Sequence, residues 1–325
     1  MRVHVDLAGC GTGARRQFQL LRPELLKHDI TLVADSAAET VIYWNAYEPN
    51  DNRLRARANG RFLVCRVGGW HPETADVTSK TLAAAHAAFF VCETDKEYAK
   101  ALEWKLPGKR VVIKNASKRV GASRRKNEQF LLIRHGNIGN TLGKERLDRM
   151  YSIVSLASVW DRLRQHYPEL RVWVLGSVDR VVKKNYSLPG WRYLGRVKPQ
   201  QTVGYGRRAL GLVHMVVSDH SPNSVAEAIG EGCPAIVPDR GGAAELAGTG
   251  GIHVPMVPSA NGTWDLLAKQ RVAVDERQMF LAVASVIERQ QYWDEEVKLW
   301  HRKGLRPAYA ANRIVRFLKG ERIEP

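Results

Sequence analysis

The sequence predicts an α/β protein built from two Rossmann-like domains that face each other across a cleft. Short β-branched runs alternate with helical segments along both halves of the chain, and this alternation specifies parallel sheets covered by helices. A basic, polar stretch at 114–128 has no hydrophobic period and separates the two halves. The 325 residues are 44% hydrophobic, which is enough to bury two cores.

The domain boundaries are predicted from that polar stretch. We expect a first domain over 1–117, a basic linker over 118–128 and a second domain over 129–305. Aromatic residues recur along the tail. Residues 306–325 are therefore expected to form a C-terminal helix that packs back on the first domain.

Each element has its own signal. Apolar, β-branched runs predict strands at 3–7, 30–34, 41–44, 62–67, 88–92 and 111–113 in the first half, and at 130–133, 171–175, 191–194, 213–217 and 234–237 in the second. Apolar residues at helical spacing predict helices at 14–27, 78–87, 147–167 and over most of 278–319.

The segment 216–246 is the most informative part of the chain. Ser221, Pro222 and Asn223 predict a helix start with a hydroxyl cap and a proline at the first helical position. Gly232 predicts the end of that helix, and Gly241 with the glycine after it opens another. Helix N-termini at the carboxyl ends of parallel strands offer backbone N–H groups to phosphates.

Two acids stand in this segment at a defined spacing. Asp219 precedes Glu227 by eight residues, and Glu227 shares a helix face with Asn223 because the two are four residues apart. A carboxylate in that position can accept hydrogen bonds from a ribose diol.

These residues resemble a known signature. Asp219-x7-Glu227, followed by Gly-Cys-Pro-Ala-Ile-Val and by Gly241-Gly242-x-x-Glu245, is similar to the E-x7-E motif of retaining glycosyltransferases of the GT-B type. The resemblance implies transfer of a sugar from a nucleotide-sugar donor, such as a UDP- or GDP-sugar. It makes 1–117 the acceptor domain and 129–305 the donor domain. Glu227 would bind the ribose, and Asp219, shorter than the usual glutamate, would lie near the donor sugar.

The resemblance also assigns the rest of the donor site. An Arg and a Lys in the loop after the first strand of the second domain would neutralise the diphosphate, and here the candidates are Arg134 and Lys144, at a longer spacing than in the family. Gly136 suits a close approach of that loop to phosphate. The remaining donor-binding candidates are the helix N-terminus and the stretch against the nucleotide base: Asn223, Ser224, Val225, Gly195, Arg196 and Val197.

The first domain is expected to supply the acceptor side. Gly11 and Gly13 would line the cleft, and Arg66 and Trp70 lie in a stretch that resembles an acceptor-side strand end of some members. His71, directly after it, is a catalytic candidate that could hydrogen-bond the donor sugar or the acceptor hydroxyl.

A second interpretation of the same loop stays open. Gly9-x-Gly11-x-x-Ala14 fits the dinucleotide-binding fingerprint, and Asp35 follows the second strand, where an acid could hold the ribose of NAD. The sequence thus leaves an NAD-dependent oxidoreductase as an alternative. For the transferase no cofactor is expected and no metal is required, because the donor phosphate itself would accept the acceptor's proton. No metal-ligand spacing is seen among the cysteines.

The charge indicates the kind of acceptor. A net charge of +17 and a pI near 9.9 are more than a neutral small acceptor needs, and such a field recruits polyanions. We expect nucleic acid, namely DNA with a hydroxymethylated base. Two alternatives are a glycan at an anionic membrane, reached by peripheral contact, and a non-catalytic nucleic-acid-binding protein. The polyanion-binding candidates are Lys114, Lys118, Arg119, Arg124 and Arg125. No obligate protein partner is evident, and neither a signal peptide nor a membrane span is seen, so a cytoplasmic protein is expected.

Overall fold

The computed structural model describes residues 1–7, 10, 12–44, 59–68, 75–124, 128–138, 147–265 and 267–323. The chain divides into two compact units. Unit 1 comprises Met1–Ala116 and Gly304–Pro325, and unit 2 comprises Ser117–Lys303. The chain therefore leaves unit 1 once, forms the whole of unit 2 and returns.

Unit 1 contains a parallel sheet with the strand order β2-β1-β3-β4-β5-β6. Its strands are β1 (Arg2–Asp6), β2 (Thr31–Leu32), β3 (Thr40–Tyr43), β4 (Phe62–Val67), β5 (Ala87–Phe90) and β6 (Lys109–Val112). The helices around it are α1 (Thr12–Leu25), α2 (Ala75–Ala84), α3 (Glu93–Ala101) and a C-terminal helix (Pro307–Lys319).

The C-terminal helix belongs to the core of unit 1. It begins with a proline in the first turn and ends at Gly320, whose φ of 81° suits glycine. Its buried side chains, among them Ile314 and Phe317, share one apolar cluster with Phe18 and Leu21 of α1. The unit is thus closed by residues from both ends of the chain.

Unit 2 contains a second parallel sheet, in the order β12-β11-β10-β7-β8-β9, and an antiparallel hairpin. Its strands are β7 (Phe130–Ile138), β8 (Arg171–Val178), β9 (Trp191–Gly195), β10 (Gly211–Val213), β11 (Ala235–Pro238), β12 (Gly251–Val254) and the hairpin strands β13 (Met256–Asp265) and β14 (Gln270–Val274). Its helices are α4 (Leu147–Ala157), α5 (Trp160–His166), α6 (Arg180–Asn185), α7 (Pro199–Arg208), α8 (Asn223–Glu231), α9 (Gly241–Ala247), α10 (Glu276–Glu288) and α11 (Gln290–Trp300).

The two sheets differ in topology. Counted from β7, the strands of unit 2 follow the order of dinucleotide-binding domains, in which the strand order reverses between the first and fourth strands. Those two strands are β7 and β10. Unit 1 instead places its second strand outside its first, as flavodoxin-like sheets do. In open parallel sheets the ligand crevice lies beyond the carboxyl ends at the reversal point, so a ligand site of unit 2 is expected beyond β7 and β10.

Strand β7 is longer than predicted and irregular at that end. Its pairing with β8 shifts register between Arg134 and Asn137. Opposite the shift, Gly176 has a φ of 122°, and a Cβ there would lie 1.9 Å from the carbonyl oxygen of His135. A shift of this kind bends a strand and re-aims its side chains.

The predicted extents of one strand and one helix of unit 2 are also wrong. The strand predicted at 213–217 ends at Val213, because the N–H of Met215 donates to Ser152 Oγ (3.0 Å) instead of to a neighbouring strand. The helix predicted at 147–167 breaks between Ala157 and Trp160, where the Ser158 hydroxyl donates to the carbonyl of Ser155 (3.1 Å). Side-chain bonds to nearby backbone compete with helix continuation.

The described part of the predicted 118–128 linker packs inside unit 2. The N–H of Val120 donates to the carbonyl of Gly230 (2.8 Å), and the N–H of Ser123 to that of Arg207 (2.6 Å). Gly232 ends α8 with a φ of 84°, and a Cβ there would lie 2.3 Å from the Ala122 nitrogen. The segment therefore lies directly on α8.

The four cysteines, all within the described residues, are buried and form no disulfide. Among the helices described, none combines the length and apolar content that crossing a bilayer requires.

Candidate functional site

A line of three charged side chains lies in unit 2 at the reversal point of the strand order, formed by β7 and β10. Arg134, on β7, donates to both carboxylate oxygens of Glu231 (3.2 and 3.0 Å) and to Oε2 of Glu227. The side chains are 4% exposed at Glu231, 8% at Arg134 and 19% at Glu227. Exposure thus increases along the line, and Glu227 is the end nearest to solvent.

Arg134 and Glu227 were both predicted for the donor site, and the structure brings them together. Glu231 was not predicted. It lies one helical turn after Glu227 on α8, so the spacing of four residues was the available signal. A buried carboxylate needs a cation or hydrogen-bond donors to offset its desolvation, and Arg134 supplies both.

Asp219 lies beside a buried histidine. Nε2 of His214 is 3.4 Å from Oδ2 of Asp219, a long contact that is ionic when the ring is protonated. His214 is fully buried, whereas the Asp219 side chain is 31% exposed. Desolvation alone would raise the pKa of Asp219, but the interaction with His214 and the charges of His135 and His220 hold that pKa below its ordinary value. The Asp219 carboxylate is therefore kept ionised.

A second histidine, His135, packs against the ring of His214 at the same reversal point. The rings of His135, after Arg134 on β7, and His214, after β10, have centroids 4.8 Å apart. Nε2 of His135 lies 3.1 Å from Ser152 Oγ, which also accepts the N–H of Met215. Sequence patterns gave no signal for this pair, because the two histidines lie far apart in the sequence.

The start of α8 differs from the prediction. Pro222, not Ser221, occupies the N-cap position, and no side chain caps the helix. The N–H of Val225 donates to the carbonyl of Pro222 (3.0 Å), so this predicted phosphate ligand is committed to the first helical turn. Ser224 Oγ lies 3.3 Å from Nδ1 of His214, and Asn223 is the first residue of the helix.

The Gly-Gly pair fixes the loop that carries Asp219. Gly241 begins α9 with a φ of 83°. A Cβ on Gly242 would lie 1.6 Å from the carbonyl oxygen of His220. Only glycine allows this approach, so α9 and the loop at 219–221 are in direct backbone contact.

The other donor-side candidates lie at carboxyl ends of the same sheet. Gly195 ends β9 with a φ of 67°, Arg196 is exposed and Val197 is half-buried. Gly136 is exposed within the irregular end of β7. Lys144 lies outside the described residues.

The candidates for the acceptor side lie in unit 1. Arg66 is buried on β4, where its guanidinium donates to Asn115 Oδ1 (2.8 Å) and lies over the ring of Trp44. Gly13 is half-buried in the first turn of α1. Gly11, Trp70 and His71 are outside the described residues.

The predicted polyanion-binding residues separate into different environments. Lys118 and Arg119 are exposed, and Lys114 is half-buried. Arg124 is only 11% exposed and donates to the carbonyls of Ala209 and Gly232 and to Asp294. Its charge is therefore used inside unit 2. Arg125 is outside the described residues.

Comparisons with known proteins gave no match to a protein-family model or to a curated protein. Solved structures do match. Alr3699/HepE of Anabaena, in complex with UDP-glucose, is 12% identical, with a TM-score of 0.65, and the match covers 98% of this chain and 99% of that one. Sucrose-phosphate synthase of Thermosynechococcus elongatus is 11% identical, with a TM-score of 0.63 and 98% of each chain covered.

A third structure is the pneumococcal O-GlcNAc transferase GtfA in complex with UDP and GlcNAc. It is 14% identical, with a TM-score of 0.63, and the match covers 86% of this chain. This chain spans just over half, 56%, of the length of that transferase. At such identities the likeness establishes the fold.

The protein therefore has the GT-B fold of glycosyltransferases, with two Rossmann-like units. The predicted α/β class is confirmed. These comparisons do not favour the NAD-dependent alternative. Its fingerprint lies in unit 1, whose sheet lacks the dinucleotide-binding order, and Asp35 is paired with Arg61 at 2.6 Å.

Proposed function

We propose that this protein is a retaining glycosyltransferase that moves a sugar from a nucleotide-sugar donor to a hydroxyl of a polyanionic acceptor. The observation that carries the proposal is the position of Glu227. It lies one turn into the helix that follows the fourth strand of unit 2, at the point where the strand order reverses, and Asp219 lies in the loop before that helix. Nucleotides bind at such points in open parallel sheets.

In this proposal each donor group has a partner in unit 2. Glu227 accepts hydrogen bonds from the ribose diol, and the ionised Asp219 orients the donor sugar. The amides of Asn223 and Ser224 at the start of α8, together with Lys144, bind the diphosphate and offset its charge. The backbone of Gly195–Val197 lies against the base. A UDP-sugar is the first donor to test, because HepE and GtfA were solved with UDP or UDP-glucose.

The proposed reaction requires no metal and no protein nucleophile. The bond between the sugar C1 and the diphosphate oxygen breaks, and the acceptor oxygen bonds C1 on the same face. The acceptor's proton passes to the departing diphosphate. Negative charge thus develops on the diphosphate, and fixed N–H donors and cations stabilise it more strongly in a water-poor site than in solution.

The acceptor is proposed from charge. A net charge of +17, with exposed basic residues such as Lys118 and Arg119, favours a polyanion. We propose DNA with a hydroxymethylated base. An anionic glycan at a membrane is the competing outcome of the same test. We also propose a cytoplasmic location, in keeping with four buried cysteines that form no disulfide.

The test is a transfer assay with matched variants. The enzyme is incubated with UDP- and GDP-sugars and with plain DNA, hydroxymethylated DNA or vesicles carrying anionic glycolipids, and the products are analysed by mass spectrometry. We expect one added sugar on the hydroxymethylated nucleoside. Glu227→Gln should abolish transfer, whereas Glu276→Gln, at an exposed carboxylate on α10, should not alter it. No adduct on DNA would refute the acceptor, and no nucleotide binding at all would refute the transferase.

A further inference from the structure

The charged line Glu231–Arg134–Glu227 has a role that the proposed donor site does not explain. A side chain that binds the diphosphate should expose its positive charge to the ligand site. Arg134 instead has 8% exposure and contacts a carboxylate on each side. The more buried of these, Glu231, receives two of the hydrogen bonds.

Moving Arg134 to a phosphate would carry a large cost. Glu227 and Glu231 are four residues apart on one helix face, where like charges repel. Without the guanidinium, Glu231 would remain a buried carboxylate that has lost the Arg134 cation, and breaking a buried pair in this way is strongly destabilising. This cost favours a site in which Arg134 remains between the two carboxylates when a nucleotide binds.

We propose that Arg134 and Glu231 are positioning residues that hold the Glu227 carboxylate in the orientation that binds a ribose diol. This inference rests on the proposed donor role of Glu227. Arg134 contacts Glu227 through Oε2, and an ionised carboxylate has acceptor sites for about four hydrogen bonds. The contact with Arg134 uses only one of these sites, so this contact orients the carboxylate and does not by itself prevent it from binding the diol.

The fold supplies a second contact that sets the position of Glu231. Gly206, on α7, faces its carboxylate: a Cβ at 206 would lie 1.7 Å from Oε2 of Glu231. A methyl group there must displace the carboxylate from Arg134. Gly204 lies on the same helix, and a Cβ there would have no atom of the described residues within 4 Å, so Gly204→Ala is a matched control. Both substitutions raise helix propensity equally.

The experiment compares two nucleotides by calorimetry, UDP and 2′,3′-dideoxy-UDP, which lacks the diol. The wild-type protein should bind UDP at least about ten-fold more tightly than dideoxy-UDP, because the diol adds hydrogen bonds to a charged group. Gly206→Ala and Glu231→Gln should each weaken UDP binding about ten-fold and leave dideoxy-UDP binding unchanged. In the double variant the two effects on the free energy of UDP binding should not be additive. Gly204→Ala should keep the wild-type ratio.

Other outcomes overturn the proposal in distinguishable ways. An equal loss for both nucleotides in Gly206→Ala and Glu231→Gln would make Arg134 a phosphate ligand. Equal binding of the two nucleotides by the wild type would remove the ribose role of Glu227 while leaving a nucleotide site. Binding of neither would refute the proposed function itself. Glu231→Gln keeps the side-chain shape, so it carries the test if Gly206→Ala does not fold.

Discussion

Replacing Arg124 by alanine should destabilise unit 2 rather than weaken the binding of a polyanion. The guanidinium donates to the carbonyls of Ala209 (3.0 Å) and Gly232 (3.2 Å) and to the Asp294 carboxylate. It thereby attaches the segment after Ser117 to the end of α8. Removing it leaves all three acceptors without this donor.

The magnitude follows from these contacts. Hydrogen bonds to a charged group contribute about 1.5–3 kcal/mol each, but the Asp294 side chain is 42% exposed, so water compensates part of the loss. We expect Arg124→Ala to lower the unfolding free energy by about 2–4 kcal/mol. For a unit of this size that corresponds to a Tm lower by about 5–15 °C.

Urea unfolding followed by circular dichroism measures the effect, with Lys118→Ala as the control. Lys118 is exposed in the same segment, and surface substitutions usually change stability by less than about 0.5 kcal/mol. The reasoning is refuted if the two variants are equally stable. It is also refuted if the main effect of Arg124→Ala is on polyanion binding, with the slope of log affinity against log salt concentration reduced by about one, as expected for the loss of one phosphate contact.

Three further predictions concern the site and its surroundings. The methyl group of Gly242→Ala would overlap the carbonyl of His220, so this substitution should lower the free energy of unfolding by about 1–3 kcal/mol and weaken UDP binding. Gly204→Ala should do neither. A structure of the Gly242→Ala variant in which the loop at 219–221 has not moved would contradict this prediction. The pKa of Asp219 lies below its ordinary value of 3.8, so its ionised form stabilises the fold above about pH 4 and this contribution is lost as the pH falls through the lowered pKa. Asp219→Asn should therefore be less stable than wild type at pH 7 and approach it in acid, as urea titrations across pH would show; a constant difference would count against the assignment. Burial raises the pKa of the Cys233 thiol from 9.0 to about 12. Iodoacetamide should therefore label Cys233 at pH 8 only in urea, and the stability that this group contributes should decline once the pH exceeds 9. Rapid labelling of the native protein would show instead that the thiol is accessible.

Local patterns were sufficient to predict the parallel sheets and the position of α8. The β-branched runs became strands, Gly232 ended α8 in the left-handed region, and Gly241 opened α9. These features depend on residues close together in the sequence. Backbone preference and hydrophobic period therefore determine them.

One error arose where a distant group intervenes. The run through Val217 is buried as a strand would be, but Ser152, 63 residues before Met215, takes the amide that would continue the ladder. The structure places Arg134 beside Glu227, yet the pairing of Arg134 with Glu231, 97 residues later, could not be inferred from spacing. Tertiary hydrogen bonds of this kind are visible only once the strands are assembled.

The return of the chain to unit 1 affects how the protein is made. Unit 2 is one uninterrupted stretch, Ser117–Lys303, whereas the apolar cluster of unit 1 requires residues 307–319 beside α1. During synthesis the segment translated second can thus finish folding first, in contrast to the usual N-terminal-first order. Until residues 307–319 have been synthesised and have packed, the side of α1 that they cover stays exposed.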